Sequence, residues 1–130
     1  MNEVAITGIG IVSCLGTGRE KVSKSLKEGR SGVISDPERE RIGFRSPLVG
    51  AINDFVPPKL ERKRCRTMTT FGLQAYAAAL EAIEMSGWED VHIKSDDTGL
   101  IIGNDSTTLA NYNQVDITLK EKSTFPIGAG

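Results

Sequence analysis

The sequence predicts an α/β fold, and three observations carry that expectation. An apolar, β-branched run opens the chain at Val4-Ala5-Ile6-Thr7. Leu73, Ala77, Leu80 and Ile83 then repeat at helical spacing along one face. A second short apolar run, Gly99-Leu100-Ile101-Ile102-Gly103, follows that helix. Read with the segments between them, these give the order strand, helix, helix, strand, helix. Such an order belongs to layered α/β architectures with right-handed crossovers.

Residues 3–12 read as a central strand, interrupted by Gly8 and Gly10 where side chains would obstruct a neighbour. Thr17-Gly18-Arg19-Glu20 has capping-box spacing, which places a helix start at Thr17. The helix puts Val22 and Leu26 on one face and stops at Gly29. Residues 30–47 are polar and loop-like, with Pro37 and Pro47 as breakers, and Leu48 to Ile52 reads as a short strand ended by Pro57-Pro58.

The clearest helix runs from about Thr67 to Ser86, with Gly87 as its stop. Ala75, Ala77, Ala78, Ala79 and Ala82 allow close backbone approach, so this helix is expected in an interior. Asp96-Asp97-Thr98 reads as a turn before a buried strand at Gly99 to Gly103. Asp105 or Ser106 then caps a third helix carrying Tyr112, Val115 and Leu119 on one side. Buried apolar strands expect partners on both edges. Residues 1–130 therefore read as the first portion of a larger layered domain, with no complete second domain.

Length and charge exclude several classes. A chain of 130 residues holds one domain at most, and a formal net charge of −1 gives no global argument for nucleic acid or membrane. The start, Met-Asn-Glu-Val, lacks the basic and apolar regions of a secretory signal, and no window reaches membrane-spanning length. Cys14 and Cys65 have neither metal-ligand nor CxxC spacing, so two reduced thiols and a cytoplasmic location are expected.

Gly8-Ile9-Gly10 invites a dinucleotide-binding reading. However, the third glycine is missing and the helix begins only near Thr17, whereas a pyrophosphate needs the helix N-terminus at the loop itself. Close packing beside the strand explains the same glycines. Cys14 lacks an evident activating base, since the one histidine, His92, lies in a polar linker, and it reads as a small apolar residue. Cys65 lies between Arg64 and Arg66, which favour a thiolate, and is read as incidental. Lys59 to Arg66 is the densest basic run. Its plain reading is a solvated face, and its functional reading is a positive patch for an acidic partner. Aromatics are absent from it, against single-stranded nucleic-acid binding.

Taken in order, VAITGIGIVSCLG, SLKEGRSGV, IGFRSPLVG, RKRCRTM before an Ala-rich helix, and GLIIGND resemble the β-ketoacyl-acyl carrier protein synthases. The resemblance covers essentially the whole chain and looks closest to the bacterial elongating type. It implies a thiolase-like fold: two similar halves, each with a mixed sheet, layered α-β-α-β-α and dimeric. This chain would supply the N-terminal portion of the first half. It also implies an acyltransferase of fatty-acid synthesis that uses a cysteine nucleophile and two histidines. These motifs fall beyond Gly130, so no catalytic residue maps here and the 130-residue chain is expected to be inactive. The family needs no cofactor or metal, since its substrates ride on the phosphopantetheine of acyl carrier protein.

By position, Arg62, Lys63 and Arg66 match the family's basic face for acyl carrier protein, and Lys120 and Lys122 fall near a second basic cluster. Asn104, Asp105, Ser106, Thr107, Thr108 and Tyr112 match the loop and helix start lining the acyl pocket, where the family often has glycines. The resemblance further implies a homodimer of the full-length enzyme, while unpaired apolar edges predict self-association of this piece alone. Two other readings stand beside this one: a non-catalytic module that docks a carrier protein, and a nucleotide-binding α/β domain.

Overall fold

A computed structural model describes residues 3–65, 68–104, 108–124 and 127, without the side chains of Arg62, Cys65 and residues 108–111. The first regular structure is a tight antiparallel hairpin. β1 (Val12–Ser13) pairs with β2 (Gly16–Thr17) in the register Val12 to Thr17 and Ser13 to Gly16. Cys14 and Leu15 form its tip, and the Leu15 N–H donates to Ser13 Oγ at 3.2 Å. Gly16, at φ 139°, takes a conformation that side chains rarely adopt.

The hairpin feeds α1 (Arg19–Lys27), whose N-cap is Gly18 rather than Thr17. The expected capping box is not formed. Thr17 instead donates from Oγ1 and from its backbone N–H to the Asp54 carboxylate, at 3.1 and 3.3 Å. On α1, Val22 and Ser25 are the buried pair, and Ser25 Oγ donates to the Leu15 carbonyl at 2.8 Å. Leu26 is exposed, so the expected Val22–Leu26 face is rotated toward Ser25. Gly29 stops the helix at φ 63°, as its position predicts.

Residues 30–47 are more ordered than a loop. β3 (Val33–Ser35) pairs antiparallel with β4 (Leu48–Gly50), joined by an excursion that contains α2 (Pro37–Arg41). Pro37 begins this helix because a first-turn proline forfeits no intrahelical hydrogen bond, and Asp36 caps it by accepting the Glu38 N–H. The strand predicted over Leu48–Ile52 thus exists in shortened form.

α3 (Arg62–Cys65) is a single turn in the basic run. α4 (Thr70–Ser86) follows, capped by Thr69 Oγ1 accepting the Gly72 N–H at 3.1 Å and closed by Gly87 in the left-handed region at φ 69°. α5 (Asp90–Ile93) is a short turn of helix where a linker was expected, and α6 (Thr108–Glu121) is the third predicted helix. Its proposed cap residues, Asp105 and Ser106, lie outside the described residues.

The first segment contacts α4 closely, although it is not a paired strand. A Cβ placed on Gly8 would lie 1.9 Å from the Ala82 carbonyl oxygen, and one on Gly10 would lie 1.7 Å from that of Ala78. Residues two apart on an extended chain are separated by about 6.6 Å. Residues four apart on a helix rise by about 6 Å. The two repeats match, so each glycine meets one turn of α4. This gives the Gly-x-Gly spacing a packing role.

Two expectations need correction. Val4–Thr7 and Gly99–Gly103 carry no strand pairing, and all sheet pairing among the described residues is antiparallel and local. A strand without a partner ladder remains an extended segment, whatever its propensity. Nor is α4 buried: its residues are partly exposed or exposed. Among the described apolar residues only Val22 is buried, whereas Val4 is 93% and Ile101 97% exposed.

Candidate functional site

The basic run provides the first group of candidate side chains. Lys63 and Arg64 are exposed on α3, whose turn is closed by the Arg64 N–H donating to the Glu61 carbonyl at 2.8 Å. Neither pairs with a carboxylate among the described residues. Their charges are therefore available to a partner. Arg62 belongs to the same turn, but its side chain, like all of Arg66, lies outside the described residues.

The second basic pair differs. Lys120 is bound to Asp116 one turn back on α6, Nζ to Oδ2 at 2.7 Å. That hydrogen bond, with the attraction of the same carboxylate, raises the Lys120 ammonium above its usual value. Lys122, just past the helix end, has φ 49° and is exposed. Among the described residues, α3 and α6 are not one of the closely packed pairs of elements.

Of the expected pocket residues, Asn104 and Tyr112 have described side chains. Asn104 is exposed, as is Tyr112 on α6, where Val115 and Leu119 are exposed as well. Asp105, Ser106 and Thr107 lie outside the described residues, as does the Thr108 side chain. Gln114, Val115, Thr118, Leu119 and Ile127 line an open, largely apolar groove on α6.

The cysteine and histidine weighed as a catalytic pair occupy separate settings. Cys14 packs at the hairpin tip against the strand region: a Cβ on Gly32 would lie 2.8 Å from its Sγ and one on Gly50 3.1 Å away. His92 instead accepts the Glu89 N–H on Nδ1 at 3.3 Å and faces the Trp88 ring. Cys65 is described only by its backbone position in α3. Among the described residues, no group of three histidine, cysteine or carboxylate side chains is arranged to hold a metal ion. None of the described helices is long and apolar enough to cross a membrane.

One structural residue escaped the sequence reading. Glu81, half-buried on α4, accepts the Ile11 N–H on Oε2 at 2.9 Å and the Arg19 N–H on Oε1 at 2.6 Å. Met85, one turn on, accepts the Ile9 N–H at 3.4 Å and the Arg19 guanidinium at 3.2 Å through sulfur. The sequence signal for Glu81 was weak, since it is one of two carboxylates, with Glu84, on an otherwise mostly small and apolar helix. The partner lay 62 residues away, beyond any local pattern.

Comparison with known proteins accounts for this assembly of local pieces. The family model "Beta-ketoacyl synthase, N-terminal domain" matches residues 1–129. The 3-oxoacyl-[acyl-carrier-protein] synthase 1 of Haemophilus influenzae is 38% identical over 115 residues, which is 88% of this chain and 28% of that protein. The synthase 1 of Escherichia coli K12 is 33% identical over 104 residues, 79% of this chain and 26% of the relative. The crystal structure of a β-ketoacyl synthase from Burkholderia phymatum aligns with a TM-score of 0.64 at 23% identity, covering 99% of this chain and 32% of that one. The chain thus spans about a quarter to a third of the length of these relatives. Its fold is the N-terminal portion of the thiolase-like architecture, and the match over residues 1–129 shows that the chain belongs to the β-ketoacyl synthase family.

Proposed function

We propose that these residues supply the N-terminal part of a 3-oxoacyl-[acyl-carrier-protein] synthase acting in fatty-acid biosynthesis. The observation that carries the reading is the family match over residues 1–129, together with curated relatives of that name. In the proposed reaction an acyl group passes from its carrier thioester to an enzyme cysteine, releasing the carrier thiol. Malonyl-carrier protein then loses CO2, and the resulting carbanion attacks the acyl-enzyme carbonyl. The enzyme thiolate departs, leaving a 3-oxoacyl thioester on the carrier. Donors aimed at the carbonyl oxygens stabilise the developing charge. None of these reacting groups is assigned to the present residues, and no cofactor is invoked.

The part given to this chain is scaffolding and docking. Arg62, Lys63 and Arg66 receive the acidic carrier protein, a role supported by the exposed ammonium of Lys63, which has no carboxylate partner among the described residues. Lys120 and Lys122 form a second basic cluster, while Asn104 to Thr108 and Tyr112 contribute to the acyl pocket. The complete enzyme is a cytoplasmic homodimer, and the isolated piece self-associates. The test is to assay the polypeptide in which these residues are naturally translated with acyl- and malonyl-carrier protein. Formation of 3-oxoacyl-carrier protein with CO2 release is expected. Binding of carrier protein without condensation would replace this reading with the docking module.

A further inference from the structure

We draw no further inference here: the strongest candidate, the exposed apolar side chains of the extended segments carrying Val4 and Ile6 and carrying Leu100, Ile101 and Ile102, has nothing in the structure to show what covers it.

Discussion

The Glu81 carboxylate on α4 accepts the backbone N–H of Arg19, the first residue of α1, at 2.6 Å. The first N–H groups of a helix have no partner inside it, and Gly18 at the N-cap offers no side chain. Glu81 therefore does from another helix what a local capping residue ordinarily does. Its negative charge also suits the positive end of the helix dipole. The other carboxylate oxygen accepts the Ile11 N–H at 2.9 Å, so one side chain joins the opening segment, α1 and α4.

The first prediction concerns this clasp and the glycine contact beside it. Glu81→Ala should destabilise the α1–α4 junction by about 1 kcal/mol, typical for loss of a cap. Amide exchange at Ile11 and Arg19 should then quicken about fivefold. Gly10→Ala should cost more, about 3 kcal/mol, because the obstructing atom is the Ala78 carbonyl oxygen and not a side-chain end. Gly99→Ala, with nothing within 4 Å, serves as the neutral control. Unchanged exchange in Glu81→Ala, or a Gly10→Ala variant as stable as the control, would contradict the clasp.

The second prediction is a pH dependence at Asp54. The Lys21 ammonium, hydrogen-bonded at 3.0 Å, and the Thr17 N–H lower this carboxyl below its ordinary value of 3.8. A carboxylate depressed in the fold contributes stability above its unfolded pKa and loses it as pH falls through the folded value. The link between Thr17 and Asp54 should thus persist at neutral pH and open only under acid conditions below the usual carboxylate range. Carboxyl and Thr17 amide shifts in an NMR titration report it. Lys21→Met should move the midpoint upward, and an unmoved midpoint would remove Lys21 as the cause.

How much of this was readable in advance depends on the range of the interactions. α1, α4 and α6 were legible because helical spacing and the stops at Gly29 and Gly87 are local signals. Pro37 misled as a breaker because it opens a helical turn that Asp36 caps, a position where proline is tolerated. Val4–Thr7 and Gly99–Gly103 have strand composition, but a ladder requires a neighbour that composition does not provide. Among the candidate docking residues, Arg62, Lys63 and Arg66 stood out as part of a dense basic run, whereas Lys120 and Lys122 were legible by family position alone. Their assembly into a face depends on tertiary neighbours, whereas the pairing of Lys120 with Asp116 is local: the two stand four residues apart on α6, a spacing that the sequence already shows.

That distinction gives the third prediction. In the naturally translated polypeptide, Lys63→Glu combined with Arg66→Glu should slow carrier-protein association by about tenfold at low salt, with a smaller effect at high salt. Lys120→Glu should have a weaker effect, because Asp116 already neutralises much of its charge. Surface plasmon resonance over a salt series reads both. No slowing at low salt in the Lys63→Glu, Arg66→Glu variant would return the basic run to a solvated face.

The fourth prediction concerns the uncovered apolar surface. Exposed apolar area costs about 25 cal/mol for each Å² left in water. Val4, Ile6, Leu100 and Ile101 are all strongly exposed, so the 130-residue chain should self-associate and bind an apolar dye. Light scattering should give a mass above the 14.0 kDa of one chain. A compact monomer with a cooperative melt would show that these segments close on the chain itself.

The most direct test of the central claim is acyl transfer, followed by intact-mass spectrometry on the 130-residue chain and the naturally translated polypeptide in parallel. Each is mixed with acyl-carrier protein and then with malonyl-carrier protein. The account predicts an acyl adduct and condensed product only where the family's cysteine and histidines are present. In the 130-residue chain, Cys14 and Cys65 should acylate no faster than a free thiol. Rapid acylation of either cysteine in the 130-residue chain, or 3-oxoacyl product formed by it, would contradict the assignment of this chain to scaffolding and docking.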